Sequence, residues 1–224
     1  MSGERRRGLL AEGIGTCFLL IGVVGSGIMA ERLSPDDVGL QLLENAVATA
    51  VVLIAIISIF GTISADFNPA VTLAAWMLGH RSGREVPGMV AMQVLGGCAG
   101  TVLANIMFDL SWVDASTQVR SGGNLWLAEV VATIGLLLVG FSLVRTARMS
   151  AMPYVVGAYI GGAYFFTSST SFANPAVTVA RTLSDTFAGI EPASAPMFVL
   201  MQVVGVGVAV ALVKVLFPNR VSGS

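Results

Sequence analysis

Charged side chains are scarce in this sequence. Only 11% of its 224 residues are charged and 55% are hydrophobic, whereas about 25% charged residues is usual in soluble domains. The formal net charge is −1, which offers no basic surface to a nucleic acid. One histidine and two cysteines, Cys17 and Cys98, give neither a metal-ligand spacing nor a disulfide framework. We therefore predict no metal site, no cofactor and no nucleic-acid partner. The lack of a nucleophile–base pair argues against an enzyme.

Hydrophobic residues instead form blocks that are long enough to cross a lipid bilayer, which takes roughly 20 residues as a helix. The sequence predicts six spans, and the fifth is short. The first span follows a run of arginines, as the hydrophobic segment of a signal peptide follows its charged start. It is too long for such a segment, and no clear cleavage site follows it. We therefore expect it to be retained. The predicted spans are about 8–30, 41–63, 86–108, 125–145, 151–167 and 195–217.

The distribution of basic residues predicts how the spans are oriented. Cytoplasmic loops of membrane proteins carry an excess of Lys and Arg. With six spans, most basic residues fall on one side, whereas Arg32, Arg120 and Arg181 lie on the other side among acidic residues. We therefore expect both termini to be cytoplasmic. The residues on the predicted cytoplasmic side are Arg5, Arg6, Arg7, Arg81, Arg84, Arg145, Arg148, Lys214 and Arg220.

The chain also contains an internal repeat. The segment "FNPAVTLAAW" at 67–76 shares its core with "FANPAVTVAR" at 172–181, and "AEGIGTCFLL" at 11–20 has a counterpart in "AEVVATIGLLLVG" at 128–140. Each half holds three spans, with the Asn-Pro-Ala motif between its second and third. Because three is odd, the second half crosses the membrane in the opposite direction, a plan that recurs in transport proteins.

Each motif predicts the start of a short helix. Asparagine is a favoured N-cap, and proline suits the first helical turn. Two such half-helices can enter from opposite faces and meet in mid-membrane, with irregular backbone at 64–67 and 167–173 exposing carbonyls to a cavity. The motifs are Asn68, Pro69, Ala70 and Asn174, Pro175, Ala176.

These features resemble the aquaporin or major intrinsic protein family over about residues 8–217, and "FTSSTSFANPAVTVAR" is similar to bacterial channels associated with arsenic-resistance operons. The resemblance implies an all-α membrane protein with six transmembrane helices and two re-entrant half-helices in an inverted repeat. It also implies one channel domain over 1–224, with repeats at about 8–108 and 125–217. A homotetramer in the bilayer of a bacterial inner membrane would follow.

The resemblance also assigns roles to residues in the two halves. Asn68 and Asn174 would each turn a side-chain amide into the pore, where the half-helix N-termini repel cations. Glu12 and Glu129 would accept hydrogen bonds from the backbone of the re-entrant loops, with a proton relay as the alternative for carboxylates within the membrane.

The narrowest ring of the pore is where this sequence departs from the family pattern. Most members have an arginine directly after the second motif, and this chain has Val177. We place its companions at Thr49, Gly162 and Ser171. Valine lacks the charge and the donors of arginine, so we predict a wide, less polar filter that admits glycerol, urea and the trihydroxides arsenite and antimonite.

Three polar residues near the predicted pore leave alternatives open. Arg181 lies four residues after Val177 and faces the same side of the half-helix. It could form a displaced cationic site that attracts oxyanions such as methylated arsenic acids, pair with Asp185, or be solvated. Asp66 could cap the first half-helix, which we favour, or face the pore. His80 is expected to be a solvated loop residue.

The sequence therefore predicts a passive channel of the aquaglyceroporin type for small neutral solutes and water. The alternatives are a water-selective aquaporin and, since inverted repeats also support alternating access, a coupled secondary transporter.

Overall fold

The computed structural model describes residues 3–218 as an all-helical bundle with no strand in that range. Arg220, one of the basic residues used to predict orientation, lies outside the described residues. Proline stands in the first turn of α3, α4, α6, α7 and α8, where its missing N–H leaves no backbone acceptor unsatisfied. The helices are α1 (Gly3–Leu33), α2 (Val38–Phe60), α3 (Pro69–Met77), α4 (Val86–Met107), α5 (Gly123–Arg145), α6 (Met152–Phe166), α7 (Pro175–Ala180) and α8 (Ala195–Leu216).

The packing of the helices follows the internal repeat. In the first half α1 packs most extensively against α4, and in the second half α5 packs in the same way against α8. Helix α2 joins the two halves through a long contact with α6. Within the described residues, six helices of 15 residues or more and two of nine and six residues form two similar halves, as the predicted inverted repeat requires.

The predicted spans agree closely with the helices except at α1, which is longer at both ends, and α2, which begins and ends earlier. Five helices, α1, α2, α4, α5 and α8, are long and apolar enough to cross a membrane. Helix α6 has 15 residues, about 22 Å at 1.5 Å per residue, and a 3-10 turn at Met149–Ala151 extends its start. Helix α1 begins at Gly3, so the arginine run that precedes the first predicted span is itself helical.

The contact of α1 with α4 depends on glycines that have no room for a side chain. A Cβ atom on Gly96 would lie 2.1 Å from the carbonyl oxygen of Gly13, and one on Gly100 would lie 2.2 Å from that of Cys17. The backbones of α1 and α4 therefore touch directly. This is how helices pack in a membrane, where small residues allow close approach.

We expect Gly96→Ala to destabilise the protein because the new methyl group must displace the backbone of α1. Overpacking of this kind costs roughly 1–3 kcal/mol, and each kcal/mol shifts the unfolding midpoint of a chain of this size by roughly 2–4 °C. Thermal unfolding in detergent micelles measures the shift. Gly207→Ala is the matched control, because no atom lies within 4 Å of its added Cβ. An equal midpoint for both variants would contradict the role of the α1–α4 contact.

Candidate functional site

The two half-helices, α3 and α7, begin in the same way. Asn68 is the N-cap of α3, and its Oδ1 accepts from the N–H of Ala70 at 2.8 Å. Asn174 is the N-cap of α7, and its Oδ1 accepts from Ala176 and Val177 at 3.0 and 3.2 Å. Both asparagine side chains are therefore fixed by the first turn of the helix that they cap.

The side-chain nitrogen of each asparagine donates a hydrogen bond to the loop that precedes the other half-helix. Nδ2 of Asn68 donates to the carbonyl of Ala173 at 2.8 Å, and Nδ2 of Asn174 donates to the carbonyl of Phe67 at 2.8 Å. This exchange joins the tips of α3 and α7 directly. It leaves one hydrogen on each Nδ2, and both asparagines line the cavity described below.

The backbone before each asparagine takes the left-handed conformation. The φ angle is 48° at Phe67, 61° at Thr170, 52° at Ser171 and 45° at Ala173. For residues other than glycine this conformation costs of order 1–3 kcal/mol each. The loops therefore need strong partners to hold them in place.

Glu12 on α1 is the partner of the first loop. Its carboxylate is fully buried and accepts from the N–H groups of Asp66 and Phe67 at 2.9 and 2.7 Å, from Ser64 Oγ at 2.5 Å and from Gln93 Nε2 at 2.7 Å. Four donors on one carboxylate provide the pairing that a buried charge requires. In this structure its acceptor sites are taken by the loop and α4.

Glu129 on α5 holds the second loop in the same way. It is fully buried and accepts from the N–H groups of Phe172 and Ala173 at 2.9 and 2.8 Å, and from Gln202 Nε2 at 2.6 Å. Its contacts repeat those of Glu12 across the pseudo-symmetry of the fold.

Two glutamines complete these clusters, and the sequence analysis missed both. Gln93 Nε2 also donates to Thr72 Oγ1, and Gln202 Nε2 also donates to Thr178 Oγ1, each at 2.9 Å. They thereby tie each glutamate to its half-helix. A signal was present in the sequence, because the triplet Met-Gln-Val occurs at 92–94 and again at 201–203, within corresponding spans.

A cavity of about 690 Å³ runs past both asparagines. Because α3 and α7 extend in opposite directions from their bonded tips, Arg81 and Arg181 lie at opposite ends of it. We name these the Asp66 end and the Arg181 end. Polar loop residues form part of its lining, and aliphatic side chains form another part, which we call the aliphatic wall. The aliphatic wall includes Leu19, Val23, Leu53, Leu136, Val156 and Ile160.

An ion pair occupies the Asp66 end. Arg81 Nε donates to Asp66 Oδ2 at 2.8 Å, and its Nη2 donates to Asp66 Oδ1 at 2.9 Å and to Ser64 Oγ at 3.1 Å. Asp66 also accepts from Thr72 Oγ1 at 2.9 Å. From the sequence we favoured Asp66 as a cap of α3. That prediction is wrong, because Asn68 is the N-cap of this helix.

His80 is exposed in the turn after α3, as expected of a solvated loop residue, and it also lines this end of the cavity. Its ring stacks on Phe141 with centroids 6.0 Å apart and planes at 14°. Burial and the nearby charge of Arg145 lower the pKa of His80 below its usual 6.5, so the ring is neutral at neutral pH.

Three of the four predicted filter residues belong to the lining of the cavity. Thr49, Ser171 and Val177 are buried and line the cavity. Gly162 does not: it is exposed on the outer surface of α6 and is absent from the cavity lining. Tyr164, two residues later, does line the cavity, and its hydroxyl lies 3.1 Å from Thr49 Oγ1. Two residues along a helix turn the side chain by roughly 200°, so the prediction of Gly162 placed the filter on the wrong face.

Arg181 lines the end of the cavity that is named after it. It is 2% exposed, so it is not a solvated residue. Its Nε donates to the carbonyl of Ala188, and its guanidinium carbon lies 3.5 Å from the centroid of the Phe172 ring. The alternative of a salt bridge to Asp185 is also wrong. The carboxylate of Asp185 instead accepts from the N–H and hydroxyl of Thr117.

Comparisons with known proteins agree with this architecture. The sequence profile described as Major intrinsic protein matches residues 2–173. The chain is 46% identical over 209 residues to Aquaglyceroporin AqpS of Rhizobium meliloti, covering 93% of this chain and 89% of that protein. It is 27% identical to Probable aquaporin AqpM of Archaeoglobus fulgidus, over 87% and 90% of the two chains. The X-ray structure of the aquaglyceroporin from Plasmodium falciparum has the same fold, with a TM-score of 0.74, 18% identity and coverage of 97% and 96%.

We expect Glu129→Ala to destabilise the protein, because it leaves the buried N–H groups of Phe172 and Ala173 without an acceptor. Each unsatisfied buried donor costs about 1–3 kcal/mol, so the total is about 2–6 kcal/mol, measured as a lower midpoint of thermal unfolding in detergent. Asp36→Ala, at an exposed carboxylate in the α1–α2 turn, serves as the control. An unfolding midpoint unchanged by Glu129→Ala would show that the loop is held by other contacts.

Proposed function

The chain belongs to the major intrinsic protein family, and from the residues of its cavity we propose that it is a passive transmembrane channel of the aquaglyceroporin type. Its solutes are small neutral molecules: glycerol, the trihydroxides arsenite and antimonite, and water. The observation that supports this proposal is Val177, which lines the cavity where the family resemblance implies an arginine.

The ring around Val177 suits a solute with several hydroxyl groups. Thr49, Tyr164 and Ser171 contribute hydroxyl groups to the cavity lining, and Val177 contributes an aliphatic surface. A polyol or metalloid trihydroxide can hydrogen-bond to the hydroxyls while its remaining surface slides along the aliphatic wall. An arginine at 177 would add a bulky, permanently charged side chain with five fixed donors, which narrows the ring and favours water over larger solutes.

The centre of the cavity supplies the barrier to cations. The N-termini of α3 and α7 meet there, and a helix N-terminus carries roughly half a positive charge. The free hydrogens of the two asparagine amides orient a passing oxygen as an acceptor, which interrupts a chain of hydrogen-bonded waters. Half-helix ends exclude protons and cations in this way in other pores.

Orientation and assembly form part of the same proposal. Arg5, Arg81 and Arg145 lie at the Asp66 end of the helices, which the positive-inside rule assigns to the cytoplasm. The Arg181 end then faces outward in a bacterial inner membrane, with both termini inside. Following the family resemblance, we propose a homotetramer with one cavity in each subunit.

Oxyanions are a second solute class, and Arg181 is the residue that favours them. Its guanidinium lines the cavity and pairs with no carboxylate among residues 3–218. A methylated arsenic acid carries both an anionic oxygen for Arg181 and a methyl group for the aliphatic wall. The displaced cationic site inferred from the sequence thus remains our proposal for these solutes.

Val177→Arg should reduce glycerol and arsenite flux at least roughly tenfold and retain water flux, because the guanidinium narrows the ring and adds charge. A tenfold loss corresponds to about 1.4 kcal/mol in the barrier. Stopped-flow swelling and arsenite uptake in proteoliposomes measure the three fluxes together. Val177→Leu is the matched control, since it adds bulk without charge.

Two results of this experiment would contradict the proposal. If the unaltered protein passes water but excludes glycerol and arsenite, it is a water-selective channel. If solute flux depends on an imposed proton gradient, a coupled transporter is favoured.

Arg181→Gln tests the second solute class. We expect the ratio of methylarsonate uptake to glycerol uptake to fall several-fold, because the variant loses the cation and keeps a polar side chain of similar length. Radiolabelled or mass-spectrometric uptake into proteoliposomes measures both solutes. Arg32→Gln, which removes an exposed arginine outside the cavity lining, is the control. An unchanged ratio in Arg181→Gln would remove oxyanions from the proposed solutes.

A further inference from the structure

Two guanidinium groups lie over one aromatic ring at the Arg181 end. The guanidinium carbon of Arg181 is 3.5 Å from the centroid of Phe172, and that of Arg120 is 5.2 Å from it. Phe172 is 4% exposed and packs edge-on against Phe198 with ring centroids 5.2 Å apart. The ring is therefore fixed, and it holds both cations by the attraction of its π face.

The same short loop segment holds both arginines. Arg120 Nε donates to the carbonyl of Gly189 at 2.8 Å, its Nη2 donates to that of Phe187 at 3.2 Å, and Arg181 Nε donates to that of Ala188. These carbonyls orient the two side chains but carry no formal charge. Burial lowers the pKa of Arg120, although an arginine stays charged at neutral pH.

Neither cation has a carboxylate partner. Within residues 3–218 the one salt bridge is that of Arg81 with Asp66. The nearby carboxylate of Glu129 is occupied by the backbone of the second loop and by Gln202. Buried charges in proteins are normally paired, so the buried Arg181 and the half-buried Arg120 over the same ring call for an anion from outside the chain.

The opposite end of the cavity shows what such a partner does. Asp66 and Phe172 occupy equivalent positions in the repeat, each two residues before the motif asparagine. Asp66 neutralises Arg81 with two hydrogen bonds. At Phe172 an uncharged ring stands in the place of that carboxylate, so the cations of the Arg181 end keep their full charge.

Unused hydrogen-bonding groups face the same volume. Ser171 is 3% exposed and lines the cavity, yet its Oγ has no hydrogen-bond partner among the described residues. The two terminal amino groups of Arg181 likewise donate to no protein atom in that range. A small anion in the cavity would accept from both side chains at once.

We propose that the Arg181 end is a binding site for a small monovalent carboxylate, and that its occupation slows the passage of neutral solutes. Arg181 and Ser171 contact the anion, Phe172 holds the two cations together, and Arg120 strengthens binding through its charge. One negative charge suits the site, because a second would have to be desolvated against the aliphatic wall. The proposal rests on the proposed channel function only for its flux measurement.

Sodium formate is the probe, and sodium gluconate, whose anion is much bulkier, keeps the ionic strength equal. Glycerol flux into proteoliposomes is measured at neutral pH in both salts. We expect formate to reduce the flux at least twofold relative to gluconate, a factor that corresponds to half occupancy of the site. If the protein conducts glycerol equally well in both salts, the anion site is wrong and the channel function stands.

Arg120→Gln tests whether the charge of Arg120 contributes to anion binding or whether Arg181 is sufficient. We expect the formate concentration for half inhibition to rise roughly three- to tenfold. This is the size expected for loss of one nearby, partly screened charge. The flux of each variant is normalised to its own flux in gluconate. Arg120→Lys should restore most of the effect. Arg32→Gln is a closely matched control, because Arg32 also lies 5.2 Å over a phenylalanine, Phe108, but is exposed. Equal inhibition of Arg120→Gln and the unaltered protein would overturn the role of Arg120.

A second measurement does not depend on conduction. Formate should raise the midpoint of thermal unfolding in detergent relative to gluconate, because a ligand that binds the folded state stabilises it. Ser171→Ala and Arg120→Gln should both reduce this shift. If glycerol flux is absent but the shift is present, the channel proposal fails and the anion site stands. If neither variant changes the shift, formate binds elsewhere and the site is wrong.

Discussion

The exchange of hydrogen bonds between Asn68 and Asn174 and the opposite loops is the interaction on which the rest of the structure depends. Each asparagine caps its own half-helix with Oδ1 and holds the other loop with Nδ2. Two short helices would be marginal on their own, because the first turn of a helix is costly to form. Joined at their tips, they become one broken element that crosses the bundle and leaves the cavity beside the join.

The buried carboxylates make that join possible. The left-handed residues before each asparagine expose backbone N–H groups that no helix can satisfy, and Glu12 and Glu129 accept them. A protein segment without regular structure is tolerated at membrane depth only when it is buried in protein or lines a cavity. Here it does both, since one side of each loop meets a glutamate and the other faces the cavity. The carboxylates thereby fix where the polar wall of the cavity lies.

The sequence was sufficient to predict the fold but not the whole site. Two Asn-Pro-Ala motifs in an inverted repeat predicted half-helices that meet, because N-caps and first-turn prolines are local signals. The prediction of Gly162 as a filter residue was wrong because no motif sets the register of α6. An error of two residues along a helix selects a face that points away from the cavity. Arg120 was missed for a different reason: it comes from a long loop whose path depends on carbonyls nearly 70 residues away in the chain. The solute range of the ring at Val177 stays a prediction.

The placement of charge along the cavity follows from a difference between the two halves of the chain. Each half of the chain places an arginine in the cavity lining, at non-equivalent positions of the repeat, but only the first half places an aspartate beside it. In the second half the position equivalent to Asp66 is Phe172, which holds Arg181 without neutralising it. Arg181 also lies one helical turn, about 5 Å, beyond Val177. On the proposed function, width and charge are therefore set at different depths, with Val177 in the narrow ring and Arg181 at the mouth. On the proposed function, that separation gives a bulky neutral solute room to pass while the mouth stays positive, a combination that an arginine within the ring itself would not allow.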